Sequence, residues 1–504
     1  MAAAEYFGNV SQVCAPSIDW IEYTLMHLRI PPASGQSRQQ EFLMKRFLSI
    51  SALLVLAALS LVACGGGANG GQFGDPGANP SAVFVTGEDA PLPSVLSYNT
   101  TITSIALNGT SSTPAEVLSA PITVDFARLL GLRSLIGFNA VPADTYSSAT
   151  ITFADGPVIT YLHTGTVPPT AATLTGTLVS TSVTANFPAP MVVASHGLAG
   201  MHLDFNLRQS LLTAAGQITG GVNPQISIQA VSASDEEGEI TDFTGGLVSV
   251  STANHSFVMQ GPFGSQETIE LDSQTQFNPG WSLNTLAPPA VVSIEGAVQG
   301  DGSILARNVE VISTAPAFIS GRVIAVNPIS GPVQSVTLYI GEELPSLTGP
   351  FAAGSVTTLD ISAVAEYDVC FFDNWFTNPL FDGSSMAAGQ RVFIGGSWTS
   401  STETFTPSLI SLRRQGVVGD LVTGSVNITS GNQGSFQFDN SNLLGYLVGG
   451  PLTVNTGSGT LFVGVNGLSG MQSSGATNFV ARGLVFKGSG PVPVMWAHRV
   501  RVLQ

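Results

Sequence analysis

The side-chain types that hydrolytic chemistry needs gather at one place in this sequence. Ser195 and His196 are adjacent, and His202 and Asp204 follow shortly after them. Serine, histidine and aspartate form the triad of many hydrolases, in which the histidine lies within hydrogen-bond distance of the hydroxyl. Side chains two residues apart share one face of a strand, so His202 and Asp204 would lie together. Because no Gly-x-Ser-x-Gly elbow occurs in the chain, we interpret this pair as the outward polar face of a half-buried strand.

Metal binding has little support in the spacing of the possible ligands. Zinc sites need clustered histidine, cysteine and carboxylate, and the chain has no His-Glu-x-x-His or Cys-x-x-Cys motif. Residues 235–239 hold four carboxylates without the alternating spacing of a calcium loop, and we interpret them as a solvated acidic hinge. The sequence predicts no metal and no cofactor. The histidines after residue 63 are dispersed at His163, His196, His202, His255 and His498.

Sugar chemistry could use either paired carboxylates or aromatic platforms. Glycoside hydrolysis needs two carboxyl groups roughly 5–9 Å apart, and nothing in the sequence selects such a pair among the 29 acids that follow residue 63. Four aromatic residues cluster between Phe371 and Phe376. An exposed cluster would be a platform for a glycan or a protein, whereas a buried one is core, and we favour core. The tryptophans in this part of the chain are Trp281, Trp375, Trp398 and Trp496.

Cys64 stands at the end of a segment typical of export. A basic pair, Lys45 and Arg46, precedes an apolar run over 47–59, and the small-residue series Leu61-Val62-Ala63-Cys64 leads into three glycines. This order of basic, apolar and small residues is that of a cleaved signal peptide. The series resembles the lipobox of bacterial lipoproteins. That resemblance implies that the Cys64 sulfur takes a diacylglyceryl group, that the chain is cut before it, and that the new amino group is acylated.

The resemblance to lipoproteins also implies where in the cell the protein is located. A multiply acylated cysteine holds a protein at a membrane surface without a membrane-spanning helix. Gly65 stands where an aspartate is associated with inner-membrane retention, so we expect the outer membrane rather than the inner. Residues 44–63 are then the signal peptide, and the glycine-rich residues 64–80 are a flexible tether. We interpret residues 1–43 as an unstructured segment that results from a start codon assigned too far upstream.

Cys370 has a different environment from Cys64. It lies between Val369 and Phe371, an apolar setting in which a thiol packs as an inert small hydrophobic group. If Cys64 carries lipid and Cys14 is not translated, Cys370 has no partner for an intramolecular disulfide.

The charge balance excludes several classes of partner. After residue 63, 29 acids against 12 Lys and Arg leave a net charge of −17, and Lys487 is the only lysine. Such a surface repels nucleic-acid phosphates, so the sequence predicts no nucleic-acid binding. Charged residues make up only 10% of the chain, below the ~25% usual in globular proteins. Abundant Ser and Thr in alternating runs fit extended β-structure outside the cytoplasm.

Residues 81–235 are predicted to form a β-sandwich. Short alternating runs such as 101–107 and 149–153 are separated by Gly, Pro and Asn, which is the pattern of strands. Only 126–136 has possible helical spacing, and Gly131 weakens it. The segments Asp89-Ala90-Pro91, Val124-Asp125-Phe126, Pro142-Ala143-Asp144-Thr145-Tyr146 and Leu203-Asp204-Phe205-Asn206-Leu207 resemble an uncharacterised N-terminal domain of bacterial envelope lipoproteins. The resemblance implies a transthyretin-like or immunoglobulin-like sandwich, although members usually have Gly where Asp144 stands.

Three repeats follow, each with a strand, a glycine, a hairpin and a closing strand. The series Val292-Ser293-Ile294-Glu295-Gly296 can be laid over Val392-Phe393-Ile394-Gly395-Gly396 and, more weakly, over Phe479-Val480-Ala481-Arg482-Gly483. Gly238, Gly321 and Gly424 mark recurrent opening strands. Copies about 80–100 residues apart are whole small β-domains rather than solenoid units. We place them at 236–315, at 316–415 with an insertion at 344–386, and at 416–504 in divergent form.

The first repeat is similar to a second uncharacterised family, a small repeat of exported bacterial proteins. The resemblance rests on Ser256-Phe257-Val258-Met259, Thr275-Gln276-Phe277, Val292-Ser293-Ile294-Glu295-Gly296 and Ala306-Arg307-Asn308-Val309-Glu310-Val311. It implies a small barrel similar to the oligonucleotide/oligosaccharide-binding (OB) fold or to SH3 domains. Neither family has an established activity or catalytic residues that could be assigned to this sequence.

The sequence therefore predicts an all-β protein of tandem β-sandwich and small β-barrel domains after a lipoprotein signal peptide. We expect a membrane-anchored, non-enzymatic binding or structural module of the cell envelope, with an envelope protein or glycan as its possible partner. The alternative is an exported hydrolase acting on polysaccharide or ester. Cys64, as the lipid-attachment residue, is the single site residue assigned; no catalytic residue is.

Overall fold

The computed structural model describes residues 81–503 except 90–91, 112, 130–131, 164–168, 216, 236–237, 372–379, 440–442 and 491. Nearly all regular structure in this part is β-strand, which confirms the all-β prediction. The signal peptide, the tether and Cys64 lie outside the described residues. In the described part of the stretch with possible helical spacing, Phe126–Leu129 forms a short 3₁₀ turn and a strand begins at Ser134.

The first domain is a sandwich of two sheets with a small third sheet at one end. Its first sheet has the order β14-β11-β1-β5, and β1 runs parallel to β11. Its second sheet has the order β10-β6-β2-β7-β8, with β3 and β4 also paired to β2, and the small sheet has the order β12-β13-β9. One four-residue helix, α1 (Leu207–Ser210), follows β11. The strands are β1 (Ser81–Asp89), β2 (Val95–Asn108), β3 (Ala115–Glu116), β4 (Ile122–Asp125), β5 (Ser134–Val141), β6 (Asp144–Phe153), β7 (Val158–Leu162), β8 (Ala171–Thr175), β9 (Thr177–Leu178), β10 (Ser182–Val193), β11 (Leu198–Phe205), β12 (Leu211–Ala214), β13 (Gln217–Val222) and β14 (Ile226–Val231).

The sandwich core lies between the facing sides of the two main sheets. In β2, Ile102, Ile105 and Leu107 are fully buried, while residues between them reach the surface. The irregular spacing of these apolar residues coincides with a register shift between β2 and β6, because an extra residue in a strand reverses the faces beyond it. Val83 and Val85 of β1 meet them from the opposite sheet in one apolar cluster.

The first repeat forms a barrel whose strand pairings close into a ring. The order is β17-β16-β15-β19-β20, and β17 returns to pair with β20 in parallel through Ile269 and Ile304. This is the ring of an OB-like barrel, partly open because only two residues of each strand form the closing pair. The strands are β15 (Ile240–Ser251), β16 (Ser256–Gln260), β17 (Gln266–Glu270), β18 (Gln276–Phe277), β19 (Val291–Val298) and β20 (Ile304–Ser313).

The second repeat has the same strand order, β23-β22-β21-β25-β26-β24, but among the described strands no pairing of β23 with β26 closes it, so this barrel is open. Much of the predicted insertion at 344–386 is not an insertion, because it contains β23 and β24, the counterparts of β17 and β18. These short strands carry too little apolar alternation to be recognised without their partners. The strands are β21 (Ala317–Asn327), β22 (Ser335–Leu344), β23 (Val356–Asp360), β24 (Glu366–Val369), β25 (Arg391–Thr399) and β26 (Thr404–Leu412), with a 3₁₀ turn at Gly349–Phe351.

The third repeat has the same ring in a more irregular form. Its order is β27-β31-β32-β30-β29-β28, and β30 pairs with β32 in parallel, as β17 does with β20. The first strand of the ring is split into β27 and β28, and a bridge from Leu421 to Phe438 lies at the break. The elements are β27 (Gln415–Asp420), β28 (Asn427–Ser430), β29 (Gln433–Phe438), α2 (Leu443–Val448), β30 (Leu452–Val463), α3 (Gly467–Ser473), β31 (Asn478–Phe486) and β32 (Val494–Val502).

A glycine recurs at one structural position of all three barrels, as the sequence alignment of the repeats predicts. Gly296, Gly396 and Gly483 each lie at a register shift between the last two long strands of their barrel. A Cβ atom there would lie far inside van der Waals distance of a carbonyl oxygen on the neighbouring strand. Only glycine permits this approach of two backbones at a bulge.

The opening glycines were aligned wrongly in two of the three repeats. The residues that occupy the place of Gly321, opposite the first residue of the recurrent strand, are Gly245 and Gly419. Gly238 and Gly424, which the sequence suggested, lie outside these strands. Which glycine opens a barrel depends on its partner strand, and local sequence does not contain that information.

Candidate functional site

The pair His202 and Asp204 is not the outward face that the sequence suggested. His202 is buried, and Asp204 is only partly accessible. The neighbouring strand β1 runs parallel to β11 and places Thr86 and Glu88 beside them. Arg501 of the third barrel forms an ion pair with Glu88 at 2.9 Å. We call Thr86, Glu88, His202, Asp204 and Arg501 the Glu88 cluster.

The Glu88 cluster contains a hydroxyl, an imidazole and a carboxylate in the order of a catalytic triad. Thr86 Oγ1 lies 3.1 Å from His202 Nδ1, and His202 Nε2 lies 3.2 Å from Glu88 Oε2. Thr86 is fully buried, with 0% of its surface exposed, so its hydroxyl cannot reach a substrate. Ser195 and His196, the other predicted partners, are exposed in the loop before β11, and His202 bonds to neither. The sequence missed Thr86 and Glu88 because only the pairing of β1 with β11 brings them close.

The three acids of this region have pKa values displaced in different directions. Burial alone would raise the pKa of Glu88, but the charge of Arg501 and the hydrogen bond with His202 hold it well below its usual range. Burial and the nearby Glu88 charge raise the pKa of Asp204 to about 6. Burial and the Asp204 charge raise the pKa of Asp89 well above its ordinary value.

Several residues of the segments singled out in the sandwich sequence make contacts in or beside its core. Asp89 accepts a hydrogen bond from the Leu207 amide at 3.2 Å, and the rings of Phe126 and Phe205 stack with centroids 4.8 Å apart. The buried Tyr146 donates from its hydroxyl to the carbonyl of Pro142 at 2.8 Å. These contacts join strands and turns, so the motif residues act in folding the sandwich.

Asp144 occupies the turn position where the resembled family usually has glycine. Its φ is not in the left-handed region. Its carboxylate accepts hydrogen bonds from the Thr110 hydroxyl and from the amides of Ser111 and Thr145. The turn is therefore held by carboxylate hydrogen bonds and does not need the conformational freedom of glycine.

A second buried polar group joins the barrels, and it centres on Asp242 in β15. The Asp242 carboxylate pairs with Arg391 and, at 2.9 Å, with Arg413, both from the second barrel. Arg413 also pairs with Glu310 of the first barrel at 2.8 Å, and no part of its side chain is exposed. The Ser293 hydroxyl donates to Asp242 at 2.8 Å.

The same group extends to the third barrel through Glu295. Arg414, which links β26 to β27, pairs with Glu295 of the first barrel, and Arg482 of the third barrel lies 3.8 Å from the same carboxylate. Asn308 donates to the other oxygen of Glu295 at 2.8 Å. We call Asp242, Glu295, Glu310 and the four buried arginines that pair with them the arginine network. Its arginines are Arg391, Arg413, Arg414 and Arg482.

Other contacts connect the sandwich to each barrel. Arg133 pairs through its backbone with Thr241 of the first barrel, and Arg128 forms an ion pair with Glu342 of the second at 2.6 Å. Arg501 reaches Glu88 from the third barrel. Tyr446 in α2 donates to the Leu162 carbonyl at 3.1 Å.

The charges of the arginine network compensate one another at close range. Burial would raise the pKa of Asp242, but Arg391 and Arg413 hold it far below its usual range. Burial is likewise opposed at Glu295, whose pKa falls to about 2 beside Arg414 and Arg482. The pKa of His498 falls to about 3 because it is buried near Arg414 and Arg482. Removing one partner of such a buried pair costs about 3–5 kcal/mol, because the other charge stays buried without compensation.

Asp242 also has a backbone conformation that is rare outside glycine. Its φ is +50°, at the register shift between β15 and β19. Aspartate tolerates the left-handed region better than most residues, and local strain is kept where surrounding contacts fix the side chain. The bulge directs the Asp242 carboxylate toward the second barrel.

Sequence reasoning did not find the arginine network, although one signal for it was present. After residue 63 the chain has 11 arginines and a single lysine. Arginine is the cation suited to buried ion pairs, because its planar group bonds carboxylates in a fixed geometry and is weakly hydrated. Within the described residues, six of these arginines are buried, as are five acids. The buried arginines are Arg133, Arg391, Arg413, Arg414, Arg482 and Arg499.

The remaining candidate residues are the possible metal ligands, the acidic run and the aromatic cluster. Within the described ranges, no three His, Cys, Asp or Glu residues are grouped as a metal site would require. Glu239 pairs with Arg307 at 2.6 Å, while Glu236 and Glu237 of the acidic run lie outside the described residues. Most of the aromatic cluster after Phe371 also lies outside them. Among the residues that are described, no Phe, Tyr or Trp is in the exposed class.

Cys370 is buried, as predicted, but its environment is not purely apolar. Its sulfur lies 3.6 Å from a Glu310 oxygen at the edge of the arginine network. The amide of Phe371 donates to the other Glu310 oxygen at 2.9 Å. None of the helices in the described part of the chain has the length and hydrophobicity needed to cross a membrane.

Comparisons with known proteins add little to this description. No family model matches the chain, and no curated protein matches it. Among solved structures, one named "drosophila Unr CSD456" is similar over 52% of this chain and 97% of its own, at 7% identity and a TM-score of 0.13. A similarity at that level carries no argument about fold or function.

Proposed function

We propose that this protein is a lipid-anchored, non-enzymatic structural module of the cell envelope, attached through Cys64. The observation that carries the structural part of the proposal is the arginine network, which joins three barrels through buried ion pairs. Flexible tandem domains do not need such contacts, whereas a spacer or scaffold that must keep its shape does. The absence of exposed aromatic rings among the described residues favours this role over glycan binding by stacking.

The attachment is tested by metabolic labelling of cells with a clickable fatty acid. Wild-type protein should carry the label, and Cys64→Ala should lose it and leave the membrane fraction. Cys370→Ser is the matched control, because it also removes one cysteine and should keep full labelling. Labelling of Cys64→Ala at the wild-type level would contradict the proposal.

The alternative, an exported hydrolase acting on polysaccharide or ester, is favoured by one observation. Glu88 and Asp204 are neighbouring carboxyl groups with pKa values pushed apart, as in an acid and base pair. Against it, Glu88 is buried and already bonded to Arg501 and His202. Hydrolysis of a polysaccharide or an ester by the purified protein, lost in Asp204→Asn, would support the enzyme and reject the non-enzymatic role.

A further inference from the structure

A small cavity lies between the sandwich and the second barrel, and three arginines line it. Its volume is about 40 Å³, enough for roughly three waters, since one water needs about 10–15 Å³ by this measure. Arg128 comes from the sandwich, and Arg322 and Arg391 come from the second barrel. Arg322 and Arg391 are direct partners across β21 and β25, so their side chains lie on the same face of the sheet, where like charges repel.

Two of these three arginines form ion pairs with carboxylates. Arg128 pairs with Glu342 and Arg391 pairs with Asp242. Arg322 has neither an ion pair nor a hydrogen bond with any residue that the structure describes, and it is only partly accessible. A charge withdrawn from water without a partner is costly, and Arg322 is the arginine of this cavity that has no ion-pair partner among the described residues.

The cavity's own acid acts on Arg322 only through its charge, which raises the pKa of Arg322 without an ion pair between the two groups. Asp125 lines the cavity but forms no ion pair with Arg322. Its carboxylate accepts a hydrogen bond from the Tyr98 amide at 2.9 Å. Burial raises the pKa of Asp125. Burial and the Arg391 charge lower the pKa of Arg322 to about 9, at which the guanidinium still carries its charge at neutral pH.

We propose that this cavity binds a small monovalent anion, chloride being the simplest, between the guanidinium groups of Arg322, Arg391 and Arg128. A halide is close to a water molecule in size and fits a space of a few waters. Arg322, the arginine of the cavity without an ion pair, offers a place for one negative charge. The bound anion screens the repulsion between Arg322 and Arg391 and holds the sandwich against the second barrel.

The test is the melting temperature of the purified full-length protein in sodium chloride and in sodium gluconate at equal ionic strength. Gluconate is too large for the cavity. Because an anion that binds only the folded state stabilises it by mass action, wild-type protein should melt about 2–4 °C higher in chloride. Arg322→Gln should melt at the same temperature in both salts. Arg208→Gln, which removes an exposed arginine, should keep the wild-type response.

A second measurement decides the matter even if Arg322→Gln does not fold. Crystals of the wild-type protein soaked in sodium bromide should show an anomalous peak beside Arg322. Equal melting temperatures of wild-type protein in the two salts together with no bromide peak in the cavity would mean that water alone fills it, and would overturn the proposal.

Discussion

At the scale of single residues, the protein buries a minority of its charges, and most of the buried arginines lie in ion pairs. The side chains of Thr86, His202 and Glu88 are of kinds that take part in catalysis, but here they are bonded to one another and buried. Asp204 differs from them, because it keeps some access to solvent and has no ion pair with the nearby Arg501. We therefore predict that the ionised form of Asp204 lowers the stability of the folded protein.

Asp204→Asn should change how stability depends on pH. The folded pKa of Asp204 is raised to about 6, so its favourable contribution is complete below its unfolded value near 4 and is lost as the pH rises through 6. Relative to the variant, wild-type protein should lose about 1–2 kcal/mol of stability between pH 4 and pH 7. Melting temperatures across this range measure the difference. Glu270→Gln, at an exposed carboxylate, should run parallel to wild type, and a parallel curve for Asp204→Asn would refute the assignment.

At the scale of elements, each barrel depends on a glycine at a bulge between its last two long strands. The sequence alignment of the repeats predicted the equivalence of Gly296, Gly396 and Gly483. It could do so because the steric requirement at this position allows only glycine, which is visible in the sequence. It did not predict the opening glycines or β23 and β24, because their positions are set by pairing with distant strands. Local alternation thus gave the fold class, and the ring order came only from the structure.

Substituting a bulge glycine should destabilise its barrel. In Gly483→Ala the new Cβ would collide with the Trp496 carbonyl oxygen, and the two strands would have to separate. We expect a loss of at least about 2–3 kcal/mol, measured by thermal or denaturant unfolding. The control is Gly300→Ala, where a Cβ meets nothing within 4 Å and φ is not in the left-handed region. Equal stability of the two variants would show that the close approach at Gly483 does not matter.

At the scale of the whole molecule, the arginine network joins the three barrels through buried ion pairs. The sequence predicted the domains but not the contacts between them, because ion pairs such as Asp242 with Arg413 join residues 171 positions apart. The one sequence feature that we connect with these buried ion pairs is the preference for arginine over lysine. The buried pairs should be only weakly sensitive to salt, since screening acts mainly on exposed charges.

The central claim is that the barrels form one cooperative unit through the arginine network, and calorimetric unfolding of the full-length protein tests it most directly. Wild-type protein should unfold in a single transition, with a calorimetric enthalpy equal to the van't Hoff enthalpy. Asp242→Asn keeps a side chain that tolerates the left-handed backbone but leaves Arg391 and Arg413 less compensated. It should lose about 3–5 kcal/mol and split the transition, whereas Asp301→Asn, at an exposed acid of the same barrel, should behave as wild type. Separate transitions in the wild type, or an Asp242→Asn profile that matches its control, would contradict the account.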